Sequence, residues 1–222
     1  WVAQRAHQVG GALTLRARHE YPNSSTCGLR GMMGRILRLQ GLTRLERERR
    51  VTQVMSNLNL EDFAAVMVSI VTAPRSRKDG DQAVIHTDAE RYEACCRLLS
   101  TLASKRPRIV LLDDVQWGSD ALGFVHHLLT HWPDLAILVI ATIRDEAVRV
   151  GSSASIRMAR LVGLQQTTTL ALGPLSSDAH AEMLGSRLAL DDGIIKRLEE
   201  RTSGNPLFTE EIVRHWIHSG VL

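Results

Sequence analysis

Arg108-Ile-Val-Leu-Leu-Asp-Asp-Val-Gln-Trp-Gly-Ser-Asp120 is the stretch from which the fold of this chain is read. Ile109 to Leu112 form an unbroken apolar run that ends on two adjacent acids, Asp113 and Asp114. A short apolar run with no alternation, bounded by charge, reads as a strand buried on both faces, as in a parallel sheet covered by helices. Ligands of such sheets bind just past the carboxyl ends of the strands. Two carboxylates at that edge are hard oxygen donors, suited to a cation such as Mg²⁺. The competing reading is a strand that ends in two solvated acids.

On the C-terminal side, Ser119 is placed to cap a helix carrying Leu122, Val125, Leu129 and Trp132. Leu135 to Ala141 is a second near-continuous apolar run, followed by Thr142-Ile-Arg-Asp-Glu146, and Thr168 to Leu172 is a weaker strand candidate. Strand, helix, strand, helix at this spacing predicts a parallel α/β sheet. On the N-terminal side, residues 1–9 read as the end of a helix closed by Gly10-Gly11, and Ala12 to Arg18 as a strand. Leu29 to Leu39 and residues 43–71 read as helices. Tyr21 to Thr26 and the basic stretch Pro74 to Gly80 read as loops. Thr87 and Glu90 form a capping box for a helix whose apolar stripe includes Tyr92, Cys95, Cys96, Leu99, Leu102 and Ala103. That spacing makes both cysteines core residues. His127 and His131, four apart on a helix, lack a third ligand nearby and read as surface or boundary residues.

From Ser176 onward the pattern is helical only. Ala179, Met183 and Leu188 mark one helix. Asp191-Asp192 caps a second, closed by Gly204, and Pro206 sits in the first turn of a third, with Glu210 and Glu211 complementing its start. The expected organisation is an α/β core over residues 1–173 and a helical subdomain over 174–222.

Of the 222 residues, 44 % are hydrophobic and 23 % charged, the composition of an ordinary globular chain with a full core. The net charge of +3 is small and dispersed, so it does not argue for nucleic acid. No apolar run approaches membrane-spanning length. Cys27, Cys95 and Cys96 make neither a CxxC pair nor an even disulfide framework, which suits a reduced, cytoplasmic setting. The start at Trp1 and the end directly after a helix read as cut ends, so a fragment of a longer chain is expected.

Read together, LLDDVQWGSD, ATIRDE and SGNPLFTEEIVR resemble the signal-transduction ATPases with numerous domains. The closest likeness is to the bacterial branch in which an AAA-like P-loop ATPase module is fused to LuxR-type DNA-binding, cyclase or protein-kinase domains. It covers most of residues 85–222. It implies a P-loop NTPase-type parallel sheet flanked by helices, followed by a small all-helical subdomain, with ATP and Mg²⁺ as cofactors. Asp113 would then be the Walker B residue that supports Mg²⁺, and Asp114 would orient or deprotonate the attacking water. Arg144 would sense the γ-phosphate, and Gly204 and Pro206 would belong to the motif that contacts adenine. Gln116, Trp117 and Asp120 match the signature after Walker B.

One departure from the pattern matters. The phosphate loop G-x-x-x-x-G-K-[ST] is absent: Lys78, Lys105 and Lys196 follow Arg77, Ser104 and Ile195, and Gly28, Gly31 and Gly34 have no lysine after them. The resemblance places that loop and a mid-sheet first strand ahead of Trp1, so the sheet is expected to be incomplete. The function expected is part of an ATP-driven regulatory switch with ATP/ADP as ligands, its output domain outside these residues. Self-association is compatible with it, and neither membrane nor direct nucleic-acid binding is expected. The rival is a non-hydrolysing protein-interaction scaffold on a degenerate ATPase fold.

Overall fold

Three strands, β1 (Leu13–Arg18), β2 (Arg108–Asp113) and β3 (Ile137–Ala141), pair in parallel in the order β1-β2-β3. The register sets Leu15, Val110 and Val139 side by side, and Leu112 between Ala17 and Ala141. The computed structural model describes residues 2–20, 27–72, 86–185 and 191–220. The loops expected at Tyr21 to Thr26 and Pro74 to Gly80 lie outside the described residues, as does Leu188.

The described residues also form ten helices: α1 (Val2–Gln8), α2 (Gly28–Ile36), α3 (Arg44–Asn57), α4 (Ala64–Val71), α5 (Asp88–Ala103), α6 (Ser119–His131), α7 (Ser153–Val162), α8 (Ser177–Gly185), α9 (Asp192–Thr202) and α10 (Pro206–His218). The chain divides into two compact units, residues 1–168 and 169–222. The first holds the sheet and α1 to α7, and the second holds α8 to α10.

Local chemistry explains the helix starts. Thr43 with Glu46, and Thr87 with Glu90, form complete capping boxes at α3 and α5. Asp191 caps α9 through the Gly193 N–H. Asn205 Oδ1 accepts from Leu207 and Phe208, and Pro206 follows as the first residue of α10. Ser119 does not cap α6. It is the first helical residue, Gly118 holds the cap position without a side-chain bond, and a 3₁₀ turn, Val115–Trp117, runs into the helix. Glu210 and Glu211 lie past the first turn of α10, and Glu211 pairs with Arg214 instead.

The core of the sheet unit packs Met32, Met33 and Leu37 with Met55, Met67, Leu99, Val110, Leu112, Phe124 and Leu128. Cys95 and Cys96 belong to it. Burial pushes the Cys95 thiol up to about 12 and the Cys96 thiol up as well, so both are packing groups, not nucleophiles. Glu93 on α5 gathers the His127 and Trp132 ring nitrogens and the Arg97 Nε at 2.8–3.2 Å. His127 is thereby part of a helix-joining network.

Thr168 to Leu172 corrects one expectation, because it forms no strand. Leu170 and Leu172 are 80 % and 94 % exposed. An extended segment is stabilised by ladder bonds to a neighbour, and this one has none; apolar alternation alone does not supply them. No helix of the described residues is long and apolar enough to cross a membrane.

Candidate functional site

The carboxyl end of β2 delivers Asp113 and Asp114 to the edge where β1 and β3 also end. Asp113 uses both of its side-chain oxygens. Thr142, the residue after β3, donates its hydroxyl to Asp113 Oδ1 at 2.6 Å. Arg16, on β1, donates to Oδ2 at 2.8 Å. The Thr142 bond first, and then Arg16, hold the Asp113 carboxyl below its ordinary range.

Asp114 lies one residue past the strand, with a left-handed backbone (φ 57°, ψ 46°). Its N–H donates to Thr142 Oγ1 at 3.1 Å. Its Oδ1 accepts from Gln116 Nε2 and from Arg144 Nε, both at 3.0 Å. Gln116 reaches both ways, since its Oε1 also accepts from the Arg144 backbone N–H at 3.3 Å. The Asp114 side chain is 17 % exposed and that of Arg144 is 67 % exposed. The acid is therefore fixed while the guanidinium is held at one end only. The alternative partners for Arg144, Asp145 and Glu146, start a separate 3₁₀ turn.

The strand-end residues singled out in the sequence, Asp113, Asp114 and Arg144, thus meet within one corner, with Gln116 as the bridge. Arg16 and Thr142 escaped the sequence reading. Arg16 belongs to the polar side of an alternating strand, and its reach to Asp113 follows from the parallel pairing of β1 with β2. Thr142 had one available signal, its place two residues before Arg144 at the end of an apolar run.

Chemically, each acid faces a guanidinium. The donors are carboxylate oxygens and a hydroxyl, which suit a hard cation. The described residues contain no group of three or more His, Cys, Asp or Glu set to hold a metal. A Mg²⁺ ion held through one or two carboxylates, with water and phosphate oxygens completing the shell, requires no such group.

Gly204 and Pro206 belong to the helical unit. Gly204 follows α9 with φ 70°, its N-terminal neighbour Ser203 also being left-handed. A Cβ at Gly204 would lie 2.7 Å from the Leu175 carbonyl oxygen, and the Leu175 N–H donates to Gly204 O at 3.0 Å, so the segment ahead of α8 lies close against the turn after α9. Leu207 and Phe208, 61 % and 58 % exposed, follow Pro206 on the surface. In the same unit a buried chain runs from His180 Nε2 to Thr209 Oγ1 (2.8 Å) and on to Thr202 Oγ1 (3.1 Å), a polar centre with no signature in the sequence.

Comparison of the chain with protein-family models, with curated proteins and with solved structures finds no match.

Proposed function

We propose that residues 1–222 are part of an ATP-dependent regulatory switch built on a P-loop NTPase-type sheet. The observation that carries this reading is the meeting of Asp113, Asp114, Thr142 and Arg144 at the carboxyl edge of a parallel sheet. The oxygen-only donor set fits Mg²⁺, which when bound supplies charge neutralisation to the phosphates. Asp113 is the residue to hold it, in exchange for Arg16. Asp114 accepts a proton from, or orients, the attacking water. Arg144 leaves Asp114 Oδ1 for the γ-phosphate, for which its fork of donors is suited. Gly204 and Pro206 shape the adenine contact, and the output is a DNA-binding, cyclase or kinase domain fused to this module.

The sheet supports the finer fold reading. β3 is apolar throughout yet lies at the edge of the described sheet. One further strand beside β3 accounts for that mismatch.

A second reading, a non-hydrolysing scaffold, is favoured by two observations. Residues 1–222 contain no G-x-x-x-x-G-K-[ST] loop, and both acids are already engaged by arginines. The test separating the two uses the whole natural polypeptide that contains these residues. On the switch reading, Asp114→Asn keeps ATP binding and loses turnover by about 10²-fold or more. Arg144→Ala weakens ATP more than ADP. Unchanged turnover in the first variant, or equal weakening in the second, assigns the corner to structure. Residues 1–222 alone are expected to bind Mg-ATP at millimolar strength or weaker, which calorimetry checks. One charge-assisted contact contributes about 1.5–3 kcal/mol, short of the ~4 kcal/mol that a millimolar dissociation constant represents.

A further inference from the structure

His19, the residue that follows β1, is 2 % exposed. Its backbone N–H donates to the Asp113 carbonyl oxygen at 2.9 Å, and its Nδ1 lies 2.9 Å from the same oxygen. A carbonyl oxygen only accepts, so Nδ1 carries the proton. In the neutral ring Nε2 is then a bare lone pair, and it is enclosed with no hydrogen-bond partner. Leaving that atom unsatisfied weakens the fold, so the ring's place here calls for a reason.

Two glycines make room for it. A Cβ at Gly28 would press on the ring at 3.2–3.3 Å. At Gly118 a Cβ would overlap ring atoms outright. Gly118 has φ −137°, which any residue adopts, so the imidazole and not the torsion demands glycine there.

The reason lies in the peptide between the two acids. Its C=O is gripped twice by His19, and its N–H is taken by Thr142 Oγ1. Asp114, on the far side of that peptide, holds a left-handed torsion that a residue with a Cβ keeps only where its surroundings over-determine it. That torsion turns the chain out of β2 and sets Asp114 Oδ1 between Gln116 and Arg144.

We propose that His19 is a positioning residue for Asp114. By donating from Nδ1 to the Asp113 carbonyl it fixes the left-handed turn that aims the second acid, and Gly118 is kept small to admit the ring. The proposal rests on Asp113 and Asp114 being the working pair, but its test contains no nucleotide. Failure of the ATP reading and failure of this inference are therefore read separately.

The test is a set of thermal melts on the 222-residue chain. Asn at position 19 offers an amide N–H near the place of Nδ1, whereas Leu fills comparable space with no donor. His19→Asn is expected within about 2 °C of the parent and His19→Leu about 5 °C lower, the loss of one buried hydrogen bond in a chain of this size. In an Asp114→Gly background, where the left-handed torsion is unstrained, the Leu penalty falls to less than half. Equal penalties in the two backgrounds, or a Leu variant as stable as the Asn variant, would reduce His19 to packing and overturn the proposal. Should the Leu variant not fold, ¹⁵N NMR of the parent's histidine rings decides. A proton on Nδ1 of His19 supports the proposal, and a proton on Nε2 alone overturns it.

Discussion

β2 and β3 are neighbours that share an aliphatic run, Ile109 to Leu112 in one and Ile137 to Ala141 in the other, in opposite circumstances. β2 carries Ile109, Val110 and Leu112 at 4 %, 0 % and 0 % exposure. β3 reads Ile-Leu-Val-Ile-Ala, with no polar residue at all, yet Leu138 is 53 % exposed and none of its five residues is fully buried. The difference is position. β2 has a strand on each side, whereas β3 has β2 on one side only among the described residues. Edge strands are ordinarily protected by charge, proline, a bulge or brevity. β3 has only brevity, so its sequence is that of an interior strand standing at an edge. An apolar run reports the environment a strand is suited to, and the neighbours decide how much of that environment it has.

The largest test of this contrast is a pair of truncations. Leu112→Ala, deep between β1 and β3, should destabilise by about 2–5 kcal/mol, as buried leucines do. Leu138→Ala should cost below ~1 kcal/mol, because its side chain is already half in water. Chemical denaturation measures both, and comparable losses would mean that β3 is as enclosed as β2.

The strands differ in burial but are tied at their ends, where Thr142 beyond β3 donates to Asp113 of β2. Thr142→Val removes the largest influence that lowers the Asp113 carboxyl. A carboxyl held below its unfolded value, about 3.9, stabilises the fold above that pH, and the stability is lost as pH falls through the depressed folded value. With the hydroxyl gone the folded value rises toward the ordinary one, so the contribution at neutral pH shrinks and the acid limb of the stability curve moves to higher pH. Melting curves between about pH 2 and 6 follow the change, and superimposable limbs would show that the Thr142–Asp113 bond carries no weight.

The smallest effect on stability, and the most informative about the edge, is Leu138→Lys. A charge on an exposed edge blocks strand-to-strand pairing. The variant should melt within about 2 °C of the parent and self-associate less in light scattering at high concentration. Loss of folding instead would place Leu138 in the core.

Much of the organisation was legible in the order of residues. The apolar runs at Ile109 and Leu135 located two strands, the alternation from Ala12 located the third, and the threonine–glutamate pair at Thr87 and Glu90 marked a helix start to the residue. These signals are local: periodicity, caps and turn residues act within a few positions of the chain. Asp113, Asp114 and Arg144 were also visible, because strands that end on charge announce the edge of a parallel sheet. What only the tertiary structure decided is partnership. The pairing of Arg16 with Asp113 spans 97 positions, and that of Arg144 with Asp114 spans 30; both follow from strand order and register, which no local pattern encodes. His19 reads as one polar residue after a strand until β1 is laid beside β2 and its ring is found on the Asp113 carbonyl. Thr168 to Leu172 makes the same point in reverse. Its sequence suits a strand, but a strand is made by its neighbour's hydrogen bonds, and the segment stands without one.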